Sequence, residues 1–261
     1  MTDRLATERT LRAAGFVAAE DEAAELVAAA ASADDLAAMV ARRLAGEPTA
    51  WITGRTTFLG IPLHIEPGVY VPRWKTEALA RHALAHLSPG GFAVDLGTGC
   101  GAIAAFLAHH AHAARVVATD IDPRAVACAR RNGVEAFAGD LFDPLPRELQ
   151  GHVDVIASVP PYVPEPMLAF LARDVVAHEP RGALEGGADG LDVAARIVDA
   201  APRWLRPGGA LVVEVGVDQV AALTVRMADA GLVVHEVLYD GDGDASGVCA
   251  ASERTRSSMR S

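Results

Sequence analysis

From residue 76 onward, short apolar runs alternate with segments of helical periodicity, and this alternation is the feature that most constrains the fold. Strands separated by single helices are typical of parallel sheets, because a parallel pair of strands needs a crossover connection. The predicted strands cover residues 92–96, 115–119, 135–138, 153–157, 210–215, 233–238 and 247–251. The predicted helices cover residues 76–87, 101–112, 123–131, 165–173, 189–204 and 217–229. The sequence therefore predicts an α/β fold with a seven-stranded, doubly wound sheet.

The chain before residue 76 differs in character and predicts two smaller parts. Residues 1–48 are rich in alanine and charged side chains, carry apolar residues at helical spacing, and predict a small helical domain. Trp51, Ile52 and the residues that follow predict two short strands around a glycine-proline turn, and hence a β-hairpin linker over 49–75. We expect the main domain over 76–253 and a disordered polar tail over 254–261.

Charge and cysteine content exclude several classes of protein. With 23 Lys and Arg against 34 Asp and Glu, the net charge of −11 argues against sequence-independent binding of nucleic acid. The three cysteines have no Cys-x-x-Cys spacing, so they predict neither a disulfide framework nor a metal site. The polar amino terminus lacks a signal-peptide pattern, and no apolar run approaches the ~20 residues of a membrane span. We expect a cytoplasmic protein with no membrane partner, and the sequence leaves its oligomeric state open.

A glycine-rich segment follows the first predicted strand of the main domain. Gly97, Gly99 and Gly101 come directly after Asp95, and such a turn lets the backbone approach a ligand closely. The spacing is Gly-x-Gly-x-Gly, with Thr98 inside it, and differs from the Gly-x-Gly-x-x-Gly of dinucleotide folds. An acid before the loop suits an amine-bearing or cationic ligand better than a pyrophosphate.

Further acids follow the next two predicted strands. Asp120 ends the second strand, where a carboxylate can accept both hydroxyls of a ribose. Asp140 follows the third strand, where it can accept from an adenine amine while Leu141 packs against the ring. Taken singly, each acid also suits a helix cap or a turn. Together with the glycine loop, they predict an S-adenosylmethionine site formed by Asp95, Gly97, Thr98, Gly99, Gly101, Asp120, Asp140 and Leu141.

The fourth predicted strand leads into Ser158-Val159-Pro160-Pro161-Tyr162. Ligands of open α/β sheets bind at the carboxyl ends of the strands where strand order reverses, so we expect this turn beside the cofactor. Proline has a fixed φ and no N–H, which leaves the carbonyl oxygens of the turn as acceptors for a planar –NH2 group. Tyr162 can stack on a flat amide or base. We predict that Pro160 and Tyr162 are catalytic and that Val159, Pro160, Pro161 and Tyr162 bind substrate, with catalysis mainly by alignment.

Other segments of the chain carry a resemblance to a known family. They include Val71-Pro72-Arg73, the loop at 95–101, Glu179-Pro180-Arg181, and the family-specific Ala183-Leu184-x-Gly186-Gly187-x-Asp189-Gly190-Leu191. On these segments, from Arg42 to Ser252, the chain resembles the protein N5-glutamine methyltransferases that modify peptide-chain release factors. The resemblance implies a seven-stranded class I methyltransferase domain, a hairpin, and a helical amino-terminal domain that helps to bind a protein substrate.

The resemblance also implies a reaction and a substrate site. The implied activity is S-adenosylmethionine-dependent methylation of a glutamine side-chain amide in a protein such as a release factor. The implied site sandwiches the glutamine side chain between Tyr162 and an aromatic residue near Val71-Pro72-Arg73, for which Tyr70 is the candidate.

The chain departs from the family pattern at two places beside the predicted site. Val159 stands where the family has an asparagine that pairs with the glutamine amide, and Trp74-Lys75 stand where it has Pro-Glu. Valine has neither a donor nor an acceptor in its side chain. These departures indicate a divergent paralogue and leave two alternatives open. One is a methyltransferase for a different amine, amide or small-molecule acceptor, and the other is a non-catalytic cofactor-binding protein.

Overall fold

The computed structural model describes residues 2–171 and 173–253, so the tail expected over 254–261 lies outside the described residues. Three helices form the amino-terminal layer: α1 (Thr2–Ala13), α2 (Ala19–Ala29) and α3 (Ala33–Leu44). The Ser32 side chain caps α3 by accepting a hydrogen bond from the backbone N–H of Asp35 at 3.1 Å. The layer has its own small apolar core, which includes the fully buried Leu11 and Leu26.

A short helix and a hairpin follow this layer: α4 (Thr49–Thr53), β1 (Arg55–Phe58) and β2 (Ile61–His64). β1 and β2 are antiparallel, as the sequence predicts. Trp51 and Ile52 were expected in a strand, and that expectation is wrong. They lie in α4, which begins after Pro48 and ends at Gly54 in the left-handed conformation, a common helix end.

The helix α4 contributes to two cores. Ile52 packs in the apolar cluster of the amino-terminal helices, whereas Trp51 packs in the core of the main domain. The Trp51 indole N–H also donates to the Val69 carbonyl at 2.9 Å, which fixes the segment that leads out of the hairpin.

The main sheet contains β3 (Phe92–Leu96), β4 (Arg115–Asp120), β5 (Glu135–Ala138), β6 (Val153–Ser158), β7 (Leu205–Glu214), β8 (Leu232–Tyr239) and β9 (Ala245–Ser252). The strand order is β5-β4-β3-β6-β7-β9-β8, and β9 runs antiparallel to both neighbours. All seven predicted strands are confirmed, with bounds that shift by a few residues. Strand order reverses between β3 and β6, which places a ligand site at their carboxyl ends.

The remaining helices are α5 (Thr76–His86), α6 (Ala102–His110), α7 (Pro123–Arg131), α8 (Arg173–His178), α9 (Asp192–Ala200) and α10 (Val220–Asp229). α5, α6 and α7 pack on one face of the sheet, and α9 and α10 pack on the other. The central strands supply apolar side chains to both faces: Ala93 and Val212 face the first group of helices, and Val94 and Val213 face the second. The doubly wound architecture is therefore confirmed.

The prediction of one helix over 165–173 is wrong. Glu165–Phe170 form a 3₁₀ segment instead, and α8 is a separate short helix. The backbone N–H of Met167 donates to the Pro164 carbonyl and that of Leu171 donates to the Leu168 carbonyl, which is the three-residue spacing of a 3₁₀ turn. Residue 172, inside the predicted helix, lies outside the described residues.

Asn132, directly after α7, connects the hairpin to the glycine-rich loop. Its Oδ1 accepts from the His64 backbone N–H at 2.7 Å, and its Nδ2 donates to the carbonyls of His64 and Cys100, each at 2.8 Å. One side chain thereby holds the last residue of β2 against the loop that follows β3.

We predict that Asn132→Ala lowers the free energy of unfolding by about 2–4 kcal/mol, because three hydrogen bonds are lost and their backbone partners stay half-buried. Urea denaturation measures the change. Gln150→Ala, which removes an exposed side-chain amide, is the matched control and should change stability by less than about 0.5 kcal/mol. Equal losses in the two variants would contradict a connecting role for Asn132.

Candidate functional site

A cavity of about 410 Å³ opens at the carboxyl edge of the sheet, where strand order reverses between β3 and β6. Its walls come from the glycine-rich loop, the ends of β4 and β5, the turn after β6, and the segment between β2 and α5. The predicted site residues that line it are Tyr70, Asp95, Gly97, Thr98, Gly99, Asp120, Asp140, Leu141, Val159, Pro160, Pro161 and Tyr162. The fold therefore brings the predicted cofactor and acceptor residues into one cavity.

Gly101 is the predicted site residue that does not line the cavity. It precedes α6 with a left-handed φ of 86°, and a Cβ there would lie 2.9 Å from Val134 Cγ2 and 3.1 Å from Ala129 Cβ. Glycine at this position allows α6 to pack closely against α7, and a role of Gly101 in cofactor binding stays a prediction.

Asp95 lies at the base of the cavity and is almost completely buried, with 1% of its surface exposed. Its Oδ2 accepts from the Thr98 hydroxyl at 2.6 Å and from the Ala104 backbone N–H at 3.2 Å. Its Oδ1 is buried without a hydrogen-bond partner among the described residues. Burial raises the pKa of Asp95 to about 6. An unpartnered carboxylate oxygen in a cavity wall suits a ligand that carries a cationic N–H group.

Asp120 lies at the end of β4, beside the glycine-rich loop. Its Oδ2 accepts from the Gly99 backbone N–H and its Oδ1 accepts from the Asp122 N–H, both at 2.9 Å. Burial raises the pKa of Asp120, and the two backbone hydrogen bonds act against that shift. Each carboxylate oxygen retains a free lone pair, so the side chain can still accept two hydroxyl groups.

Asp140 and Leu141 line the cavity beyond Asp120. Asp140 is half-buried and forms an ion pair with Arg196 of α9, a partner that the sequence did not indicate. Arg196 also lines the cavity, so the ion pair forms part of its wall.

The turn after β6 is held rigidly by its neighbours. The Ser158 hydroxyl donates to the Leu96 carbonyl at 2.8 Å, which joins the ends of β6 and β3. The Tyr162 carbonyl accepts from Gln219 Nε2 at 2.8 Å. Gly190 packs against the same carbonyl: a Cβ there would lie 2.2 Å from the oxygen, and φ at Gly190 is +80°. The family-specific segment of the sequence therefore packs directly on the acceptor turn.

An ion pair lies behind Tyr70 on the other wall of the cavity. The Arg73 guanidinium forms an ion pair with Glu179, and the Glu179 side chain is 2% exposed. The Arg73 guanidinium carbon also lies 5.1 Å from the centre of the Tyr70 ring. Burial raises the pKa of the Tyr70 hydroxyl, so the ring stays neutral at ordinary pH. Arg73 thus links the segment before α5 to the Glu179-Pro180-Arg181 segment.

Glu214 is the last residue of β7. It is 4% exposed, and its Oε2 is buried without a hydrogen-bond partner among the described residues. Burial raises the pKa of Glu214 to about 7, while the hydroxyls of Thr76 and Tyr162 act to lower it.

Trp74 and Lys75, which replace the Pro-Glu of the family pattern, contact the turn between β8 and β9. Lys75 Nζ lies 3.0 Å from Oδ2 of the buried Asp240, and the Trp74 ring packs on Gly241. The substitution therefore ties the start of α5 to that turn.

Sequence reasoning assigned no role to Arg73, Glu179, Thr76 or Glu214. The position of Glu214 carries a usable signal, since it is a charged residue inside an apolar strand pattern. The Arg73–Glu179 pair carries no such signal, because its members lie 106 residues apart and meet only through the fold.

Within residues 2–171 and 173–253, the structure shows no cluster of three or more His, Cys, Asp or Glu side chains arranged for a metal ion. In the same ranges, no helix combines the length and the apolar character that crossing a membrane requires.

Comparisons with known proteins agree with this geometry. Residues 63–186 match the methyltransferase small domain family. The release factor glutamine methyltransferase of Bordetella pertussis is 42% identical over 203 residues, which is 74% of this chain and 74% of the relative. The chain belongs to the release factor glutamine methyltransferase family. The family member from Geobacter sulfurreducens is 41% identical over 187 residues, which is 69% of this chain.

The match spans 65% of the length of the Geobacter relative and 65% of that from Moorella thermoacetica. Among solved structures, a methyltransferase from Pyrococcus furiosus aligns with a TM-score of 0.52 and 22% identity, covering 82% of this chain and 97% of that chain. At this identity the likeness shows the class I methyltransferase fold alone.

The raised pKa of Asp95 predicts a pH-dependent stability. The folded state holds the Asp95 proton more tightly than the unfolded chain, so the wild type loses stability relative to Asp95→Asn as the pH rises from 3.8 to about 6. We expect a relative loss of about 3 kcal/mol that levels off above this range. Thermal or urea unfolding of both proteins at several pH values measures it.

Asp154→Asn is the control, because its difference in stability from the wild type should change with pH in the opposite direction. Burial acts to raise the pKa of Asp154, but the Phe92 backbone N–H and the Arg206 guanidinium, each 2.9 Å away, bring it below its usual value. The wild type should therefore lose stability relative to Asp154→Asn only as the pH falls below about 4. A pH-independent difference between wild type and Asp95→Asn would contradict the burial of a titrating carboxyl group.

Proposed function

We propose that this chain is an S-adenosylmethionine-dependent N-methyltransferase that methylates the side-chain amide of a glutamine in a peptide-chain release factor. One observation carries the proposal: in a member of this family, the acids suited to the cofactor and the Pro-Pro-Tyr turn suited to a planar amide line a single cavity.

The residues present fit the cofactor. The unpartnered Oδ1 of Asp95 would accept from its ammonium group, and the carboxylate of Asp120 would accept from its ribose hydroxyls. Asp140 and Leu141 would hold the adenine ring, and the backbone of Gly97 and Gly99 would allow close approach. When bound, S-adenosylmethionine supplies an electrophilic methyl group.

The work of the protein is then to align the acceptor nitrogen. Tyr70 and Tyr162, both on the cavity wall, would sandwich the planar amide. The backbone carbonyls of the turn at Val159 and Pro160 would accept from its –NH2 group, because neither Pro160 nor Pro161 carries an N–H. Fixing the nitrogen in this way lowers the entropic part of the barrier.

The same proposal covers the rest of the chain. We propose that the helical region over 1–48 contacts the protein substrate, that 49–75 is a linker, and that 76–253 is the methyltransferase domain. We place the activity in the cytoplasm, where release factors work, without a membrane or nucleic-acid partner. The free thiols of Cys100, Cys128 and Cys249 are compatible with a reducing compartment.

A second candidate function rests on Val159. Its side chain packs against the apolar core of the main domain and offers no hydrogen bond to a primary amide. A methyltransferase that acts on a different amine, amide or small molecule would not need the missing asparagine.

The test is the intact mass of the source organism's release factors after incubation with this chain and S-adenosylmethionine. A gain of one methyl group, mapped to a glutamine by tandem mass spectrometry, is expected. Asp120→Ala, which removes the proposed ribose acceptor, is the negative control. If calorimetry shows cofactor binding but no release factor is methylated, the glutamine acceptor is wrong and the second candidate takes its place. If the cofactor does not bind, the methyltransferase proposal itself fails.

Val159→Asn separates the two candidates further. If glutamine is the acceptor, the new side-chain amide adds hydrogen bonds to it and should raise kcat/KM for a release-factor glutamine peptide about tenfold. Steady-state kinetics at saturating cofactor measure the change, with Val159→Thr as a control for polarity alone. An unchanged or lower kcat/KM would favour an acceptor other than glutamine.

A further inference from the structure

Gln219 is a buried polar residue that contacts the acceptor turn and to which the mechanism above gives no role. It ends the 3₁₀ segment Val217–Gln219, which leads from β7 into α10, and 8% of its surface is exposed. Its side chain does not line the cavity, whereas Tyr162, to which it is bonded, does. Gln219 can therefore act on a ligand only through its neighbours.

The side-chain amide of Gln219 makes three hydrogen bonds, and each reaches a different segment of the chain. Its Oε1 accepts from the backbone N–H of Gly216 at 2.8 Å. Its Nε2 donates to the carbonyls of Tyr162 and Asp189, each at 2.8 Å. Because a backbone N–H can only donate and a carbonyl can only accept, these partners fix the orientation of the amide. Both of its hydrogens are used to hold backbone carbonyls.

Two glycines of the family-specific segment also pack on this turn. The Gly186 N–H donates to the Val163 carbonyl at 2.9 Å, and a Cβ at Gly186 would lie 2.5 Å from the Pro161 carbonyl oxygen. A Cβ at Gly190 would lie 2.2 Å from Gln219 Nε2. The backbone over 161–163 is thus held by Gln219 and by these two glycines together.

The held backbone carries the groups proposed to receive the acceptor. The side chain of Tyr162 lines the cavity, and so do Val159 and Pro160, whose carbonyls are the proposed acceptors for a substrate –NH2 group. Proline fixes φ at 160 and 161 but leaves ψ free. The hydrogen bond from Gln219 to the Tyr162 carbonyl orients the peptide plane after Tyr162, which the prolines do not constrain.

We propose that Gln219 is a positioning residue of the acceptor site: by donating to the carbonyls of Tyr162 and Asp189, it fixes the turn so that the Tyr162 ring and the carbonyls of the turn meet a planar substrate amide. This inference rests on the proposed function, since it assigns the substrate a planar group with an N–H. Gln219 acts through the turn and does not touch the substrate. The proposed cofactor acids follow other strands, so binding of S-adenosylmethionine should not depend on Gln219.

Two variants remove the donors of Gln219 in different ways. Gln219→Glu keeps the size of the side chain and an acceptor for Gly216, but as a carboxylate it has no hydrogen to donate. Gln219→Met has similar length and no charge, and it loses all three hydrogen bonds. Gln150→Glu makes the same change of charge at the chain's other glutamine, which is exposed, and is the matched control.

A first experiment uses the free protein at pH 8, with neither cofactor nor substrate. The chain has three tyrosines, so Tyr162→Phe identifies the Tyr162 signal in NMR spectra of protein labelled with ¹³C on the tyrosine rings. We expect this signal to shift or broaden in Gln219→Glu and Gln219→Met, and to coincide with that of the wild type in Gln150→Glu. A Tyr162 signal that is unchanged in both Gln219 variants would overturn the proposal.

A second experiment measures methylation of a release-factor glutamine peptide at saturating cofactor and pH 8. We expect each Gln219 variant to lower kcat about tenfold, because the turn no longer holds one position. The Kd for S-adenosylmethionine should change by less than about twofold, and Gln150→Glu should match the wild type. Wild-type kcat in both Gln219 variants, or an equal loss of cofactor binding, would overturn the proposal.

The pH dependence of Gln219→Glu provides a readout that loss of packing would not move. When the introduced carboxyl group gains a proton, it can donate to one of the two carbonyls, and burial favours this neutral form. From pH 8 to pH 6, kcat relative to the wild type at the same pH should rise about threefold in Gln219→Glu and stay constant in Gln219→Met. A constant ratio in both variants would contradict the donor role. If the wild type methylates no release-factor peptide, the proposed function fails, while the NMR comparison still decides the role of Gln219.

Discussion

Burial of carboxyl groups at the carboxyl edge of the sheet is the constraint on which the site depends. Asp95, Asp120 and Glu214 end or nearly end three strands, and burial raises the pKa of each. Folding by itself disfavours charged carboxylates in such places. Oδ1 of Asp95, a residue of the cavity wall, lacks a hydrogen-bond partner among the described residues, so this position makes physical sense as a group held ready for a ligand.

The parts of the fold that could be predicted from sequence are those in which local pattern and final environment agree. Phe92–Leu96 is an apolar run that lies buried in the middle of the sheet, and it has the predicted bounds, as does the short edge strand Glu135–Ala138. The prediction of a helix over 165–173 is wrong because a short run of apolar residues spaced three and four apart does not distinguish an α-helix from a 3₁₀ segment. The prediction of a strand at Trp51 and Ile52 is wrong because these side chains favour strands by type but lie in a short helix. There they pack into two different cores.

The features of the site also divide into those that could be predicted from the sequence and those that could not. The acids and glycines that follow strands could be found, since the ends of parallel strands meet at one edge. The ion pair of Arg73 with Glu179 and the contact of Lys75 with Asp240 could not, because they depend on how distant loops meet. Arg73, Lys75 and Glu179 are chain neighbours of Pro72, Thr76 and Pro180, which line the cavity together with Val159.

Calorimetry of S-adenosylmethionine binding at pH 6 tests most directly whether the buried carboxylate of Asp95 receives the cofactor. Near its pKa of about 6, Asp95 is partly protonated, and binding of a cation should drive the proton off. Titrations in two buffers of different ionisation enthalpy should show release of about half a proton per site, and Asp95→Asn should show none. Binding to the wild type without net proton release, or equal release by Asp95→Asn, would contradict the account.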